Sequence, residues 1–202
     1  MHKVNERKRD YVTRIAILVG STRPGRNGET VARWVYERAI RRDDATFEVV
    51  DIAKQDLPFL DEPAPAALDS NYRQEHTKRW SETIASFDGY VFVTPEYNHS
   101  ICGALKNAID FLYVEWHNKA AGFVGYGLQG AVRAVEQLRL VMGELHVADV
   151  RDQVALSLFT DFEDMKVFRP AAHHEPMLDR MLDEVVAWSE ALAAMRQKAQ
   201  TA

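Results

Sequence analysis

The chain has 202 residues, 47% of them hydrophobic, a length and composition that suit one compact domain with a sizeable core. Asp and Glu number 30 against 25 Lys and Arg, and the net charge of −5 argues against nucleic-acid or anionic-membrane partners. No apolar run approaches the ~20 residues of a membrane helix, and the lone Cys102 allows no internal disulfide, so a cytoplasmic protein with no membrane partner is expected.

The opening residues are polar, with Lys3, Arg7, Lys8 and Arg9 and no apolar core of a secretory signal. Residues 1–13 are expected to form a flexible arm, leaving 14–202 as a single domain. A strand is predicted over 14–20 and a helix over 30–41, followed by a strand over 47–52. The stretch from Ile52 to Asn71 has no clear period and contains Pro58, Pro63 and Pro65; it reads as a surface crossover, a lid or a dimer contact. A helix over 72–87 and a strand over 90–94 come next.

Ile101, Leu105, Ala108, Ile109 and Leu112 repeat at helical spacing, as do Ala131, Val135, Leu138, Met142 and Leu145. Between them 121–125 reads as a strand, and after them 147–156 as a fifth, interrupted by Asp149, Arg151 and Asp152. The last helix runs from Met177 through Leu178, Met181, Leu182, Val185, Trp188 and Leu192, with Pro176 placed near its start. Five strands alternating with five helices imply a three-layer α/β domain around a parallel sheet.

Three strand-to-helix turns carry the chemistry. Gly20-Ser21-Thr22-Arg23-Pro24-Gly25-Arg26-Asn27-Gly28 follows the first strand and opens the first helix, the arrangement of an anion cradle. It nearly matches a nucleotide P-loop, but Arg26 and Asn27 stand where the Lys and the Mg²⁺-binding hydroxyl belong, which excludes triphosphate hydrolysis. The Ser21 hydroxyl, the Arg23 and Arg26 guanidinium groups and backbone N–H groups suit a phosphate monoester without metal. Gly125-Tyr126-Gly127-Leu128-Gln129-Gly130 fits the dinucleotide fingerprint with Asp149 about twenty residues on, yet it follows the fourth strand where that fingerprint normally follows the first. Thr94-Pro95-Glu96-Tyr97-Asn98-His99-Ser100 lies at the carboxyl edge of the third strand, where Tyr97 could cover a planar ring.

Other candidates read as structural. His173 and His174 are taken as a solvated pair, since adjacent helical residues point apart. Cys102 is taken as a small packed residue, and Trp116 as core or subunit contact in preference to a nicotinamide entrance formed with Glu115 and His117.

The Gly20 to Gly28 loop, the Thr94 to Ser100 turn and the run Gly103-Ala104-Leu105-Lys106-Asn107-Ala108-Ile109-Asp110-Phe111-Leu112 together closely resemble the flavodoxin-like NADPH-dependent FMN reductases, a group that includes quinone, azo-dye and chromate reductases. The resemblance runs in order over about 14–145. It implies a five-stranded parallel sheet of order 2-1-3-4-5 with helices on both faces and FMN at the switch point. It places Ser21, Arg23, Asn27 and Gly28 on the FMN phosphate with Arg26 and Glu29 beside them. Pro95, Glu96, Tyr97 and Asn98 would hold the isoalloxazine, with Tyr126 and Gly127 bordering its other side. Members often carry Ser where this chain has Gly125 and Gly where it has Gln129.

The activity so implied passes hydride from NADPH or NADH to FMN and on to a small-molecule acceptor such as a quinone, azo compound, metal oxyanion or free flavin, with no catalytic side chain required. A homodimer or homotetramer is implied as well. Two rivals remain: a flavodoxin-type electron carrier, against which Arg23 and Arg26 argue, and a non-catalytic flavodoxin-like binding module.

Overall fold

The computed structural model describes residues 12–200. The arm expected over 1–13 lies outside the described residues except for its last two, and Thr13 already belongs to the sheet. Strands β1 (Thr13–Val19), β2 (Ala45–Asp51), β3 (Gly89–Pro95), β4 (Ala120–Gly127) and β5 (Ala148–Ser157) form one sheet in the order β2-β1-β3-β4-β5. All four pairings are parallel. Helices α1 (Gly28–Ala39), α2 (Glu75–Ala85), α3 (Gly103–Asp110), α4 (Val132–Glu144) and α5 (His174–Gln200) cover the faces. The order and the alternation match the expectation from sequence.

β1, β3 and β4 are apolar almost throughout because both of their faces are covered. On one face Val31 and Val35 of α1 and Leu178, Leu182 and Val185 of α5 pack on Ile15, Ile17 and Val91. On the other, α2, α3 and α4 enclose an aromatic cluster in which Trp116 is fully buried among Trp80, Tyr90 and Phe92. Trp116 Nε1 donates to the Ile109 carbonyl at 3.2 Å. Of the readings that the sequence offered for Trp116, core is the one observed. Glu115 beside it accepts from Tyr72 and Ser81 on the same flank, remote from any strand's carboxyl end.

Lys119 is buried at the amino edge of the sheet, where its ammonium donates to Ile84 O at 2.8 Å, Ala85 O at 3.3 Å and the Tyr90 hydroxyl at 2.9 Å, capping the end of α2. Burial, aided by Arg196 and opposed by Asp88 and Glu115, brings its pKa down to about 7 from the ordinary 10.5. The unfolded chain therefore holds a proton that the folded chain has released between these two values, so folding stability should rise with pH above about 7. The slope can reach about 1.4 kcal/mol per pH unit. Urea titrations between about pH 7 and 9 should show that rise in the wild type and a flatter profile in Lys119→Met.

The long connection after β2 opens with a short 3₁₀ turn, Ile52–Lys54, in which Asp51 accepts from Ala53 N at 3.1 Å. It is then tied to α3 through Asn107, which donates to Pro58 O at 2.7 Å and accepts from Leu60 N at 3.0 Å. Glu62 receives the N–H groups of Arg73 and Gln74, satisfying the start of α2. Phe59 and Leu68 stand 92% and 83% exposed, so the loop offers large apolar side chains outward.

Two features were not expected. Residues 162–168 form a small antiparallel hairpin, β6 (Phe162–Glu163) and β7 (Val167–Phe168), between β5 and α5. His174 is also buried, not solvated. Its Nε2 lies 2.9 Å from Asp161 Oδ1, and its ring lies 4.0 Å from that of His173. The pair sits where α5 begins, and the divergence expected of residues inside a helix does not apply at a helix start.

Candidate functional site

In a parallel sheet every carboxyl end lies on one edge, and the chain reverses its winding between β1 and β3. The loops after β1, β3 and β4 meet there. Gly20 N donates to Val93 O at 2.9 Å, fastening the first loop to β3, and a Cβ at Gly20 would lie 3.0 Å from Leu105 and 3.2 Å from the Val93 carbonyl. Gly25 takes the left-handed φ of +68° that turns the chain back toward α1. The Asn27 side chain makes no hydrogen bond to the helix it precedes. The first-turn N–H groups of α1 thus lack an acceptor within the helix, the condition for anion binding.

Around this helix start the Ser21 hydroxyl is buried, 3.3 Å from the Tyr97 hydroxyl, and Arg23 Nε donates to that same Tyr97 oxygen at 3.2 Å. Tyr97 therefore links the first loop to the second, a contact that the sequence alone did not indicate. The two arginines divide. Arg23 is exposed at the cradle, whereas Arg26 is drawn into ion pairs with Asp51 at 2.6 Å and Glu29 at 2.5 Å. Arg26 and Glu29 accordingly stand as neighbours that fix the loop to the end of β2. Asn27 Nδ2 donates to Met165 O at 3.4 Å, bringing the hairpin to the loop.

The second loop is a tight two-residue turn: Tyr97 N donates to Ser100 O at 3.0 Å and Ser100 N to Tyr97 O at 3.2 Å. Asn98 and His99 between them take φ values of 51° and 74°, which Asn tolerates better than most residues. Pro95 is the buried last residue of β3. The Glu96 carboxylate is 7% exposed and pairs with Arg133 on α4, a residue without a motif to announce it.

In the third loop Gly127 O accepts from Gly130 N at 3.2 Å and from Leu158 N at 2.9 Å. The Tyr126 side chain runs back under the first loop, where a Cβ added at Gly28 would lie 2.8 Å from the phenol oxygen. That hydroxyl is buried without a hydrogen-bond partner, and burial holds its pKa well above the ordinary phenol value. The dinucleotide fingerprint loses its acidic member, because Asp149 pairs in register with Ala121 at the opposite end of β4 and is held by Arg139.

A buried Ser hydroxyl, an orphaned buried phenol and an exposed guanidinium surround the first turn of α1, while the nearby carboxylates Glu29 and Asp51 share the single Arg26 guanidinium. These residues fit a phosphate monoester. Cys102 lies beneath, donating from Sγ to Gly20 O at 2.9 Å, and burial raises its thiol pKa. Among the described residues no group of three or more His, Cys, Asp or Glu is placed to hold a metal ion, and no helix is long and apolar enough to cross a membrane.

Fold and site together define a nucleotide-binding α/β protein of flavodoxin-like architecture. The family model for NADPH-dependent FMN reductase matches residues 13–161, and the chain belongs to that family. It is 39% identical over 194 residues to the NAD(P)H-dependent FMN reductase ntnL of Nectria sp, covering 86% of this chain and 96% of that one. It is 30% identical to a quinone reductase of Pseudomonas putida, over 86% of this chain and 93% of that one. Among solved structures it superposes on FerB, a flavoenzyme NAD(P)H:(acceptor) oxidoreductase from Paracoccus denitrificans, with a TM-score of 0.67 and 23% identity, covering 89% of this chain and 98% of that one.

Proposed function

We propose that the protein is an FMN-dependent NAD(P)H oxidoreductase whose acceptors are small oxidants of the quinone class, the substrate named for its Pseudomonas relative. The observation that carries this reading is the meeting of three loops at one switch point, with an open cation and a buried, partnerless phenol at the start of α1. FMN, when bound, supplies hydride acceptance and onward electron transfer. Ser21, Arg23, Asn27 and the N–H groups from Gly28 on would hold its phosphate, with Arg26 and Glu29 bracing the loop.

The turn from Pro95 to Asn98 would line the ring, Glu96 fixing that turn to α4 through Arg133. The backbone at Tyr126 and Gly127 would close the other side. Fixed dipoles of this kind stabilise charge on a reduced ring without reorganisation. The protein would form a homodimer or homotetramer, and the long loop with its exposed Phe59 and Leu68 is the surface assigned to that contact. A cytoplasmic location accords with the single buried cysteine.

Anaerobic addition of NADPH to FMN-loaded protein should bleach the flavin absorbance, and a quinone should restore it. A flavin that stays oxidised under NADPH but accepts electrons from a separate reductase would establish the carrier instead. Protein that takes up no FMN would sink both readings.

A further inference from the structure

The hairpin of residues 162–168 begins immediately after the family match ends at Asp161. Its base is knotted to that one residue. The Asp161 carboxylate accepts from Ser157 N at 2.9 Å, Ala171 N at 3.0 Å and the Thr160 hydroxyl at 3.1 Å, and pairs with His174; its carbonyl accepts from Arg169 N at 2.8 Å. The strands then lean on α1: Phe168 meets Trp34 edge-on with centroids 5.7 Å apart and packs on Phe162 at 5.0 Å. The segment is thus anchored at its root and along one side.

Its tip is the unusual part. Lys166 N donates to Glu163 O at 3.0 Å across a two-residue turn in which Asp164 and Met165 have φ values of 50° and 57°. Hairpins favour this turn because it matches strand twist, but they normally fill it with Asn and Gly. A bulky Met held left-handed costs about 1 kcal/mol or more, and such positions gather where the conformation serves a site. Here the Met165 carbonyl receives the side-chain amide of Asn27, the residue just before α1. Because Asn27 spends none of its side chain on capping the helix, the hairpin is the partner that orients it.

We infer that the hairpin is a positioning element of the phosphate site: Met165 O holds Asn27 in place, and the hairpin thereby sets how tightly the phosphate end of the cofactor is held and how slowly it leaves. This rests on the FMN reading above. It also makes the loading of the enzyme depend on a segment outside the family match. A carbonyl cannot be deleted by side-chain substitution, so the turn itself must be changed. Met165→Pro forbids a positive φ and displaces the carbonyl. Met165→Gly accepts the same φ and keeps it.

The test compares FMN with riboflavin, which has the ring but no phosphate, by fluorescence titration and stopped-flow release on the full chain. Met165→Pro should weaken FMN binding about three- to tenfold, the worth of one oriented hydrogen bond, and speed release by a similar factor. Riboflavin affinity should stay unchanged, Met165→Gly should match the wild type, and Met165→Pro should have no further effect on FMN in an Asn27→Ala background. Equal weakening of FMN and riboflavin, or FMN affinity unchanged in Met165→Pro, would overturn the inference alone. Wild-type protein that binds neither flavin would overturn the cofactor reading and this inference with it.

Discussion

Gly125→Ser is expected to lose about 3 kcal/mol of folding stability, read as a lower urea midpoint, and to lose FMN binding with it. A Cβ at Gly125 would lie 2.5 Å from the Gly130 carbonyl oxygen and 3.0 Å from the Ala131 Cβ. Backbone cannot swing aside as a side chain can. Nor can Gly130 retreat, because it sits at φ +64° with its own Cβ direction filled by Ala155, 2.8 Å away, and the following Ala131 is left-handed at φ 55°. Overpacking of this kind commonly costs about 1–3 kcal/mol, and a rigid neighbour places it at the upper end. A variant with the wild-type midpoint would refute the loop path described for residues 125–131.

Arg23→Ala is expected to weaken FMN binding about ten- to a hundredfold, the loss of a charge-assisted contact worth about 1.5 to 3 kcal/mol. Arg26 cannot substitute, since Asp51 and Glu29 already claim its guanidinium. The loss has a second component: without Arg23 Nε, the Tyr97 hydroxyl keeps only Ser21 from the first loop, so the ring turn is less firmly tied to the phosphate loop. Riboflavin affinity measured alongside should fall much less if, as proposed, the main missing contact is to phosphate. Unchanged FMN affinity would mean that the cation lies off the ligand's path.

The middle of the sheet was legible because β1, β3 and β4 announce themselves twice, as apolar runs and by the glycine- or proline-bearing loops that end them. Gly20, Pro95 and Gly127 each lie where a strand meets the switch-point edge, so the three loops could be read from local sequence. Other properties were not local. Tyr126 belongs to a strand buried on both faces, where apolar alternation says nothing of which way a side chain turns. His174 owes its burial to Asp161, thirteen residues earlier, and no periodicity encodes that pairing. The hairpin has two residues per strand and Asp-Met where Asn-Gly would signal a turn. What occupies Arg26 was not local either: Asp51 at the end of β2 holds its guanidinium, a contact across 25 positions.

Cys102 gives the loop after β1 a built-in reporter. It is the chain's sole thiol, 3% exposed, and its Sγ is hydrogen-bonded to the carbonyl of Gly20, the first residue of that loop. Thiol reagents need the thiolate, which burial suppresses here, so modification proceeds through openings that uncover Cys102, the lifting of this loop among them. The rate at which unaltered protein consumes such a reagent is therefore a stopwatch on the breathing of the loop proposed to cradle the cofactor. A ligand that clamps the loop slows that watch without any label or mutation being introduced.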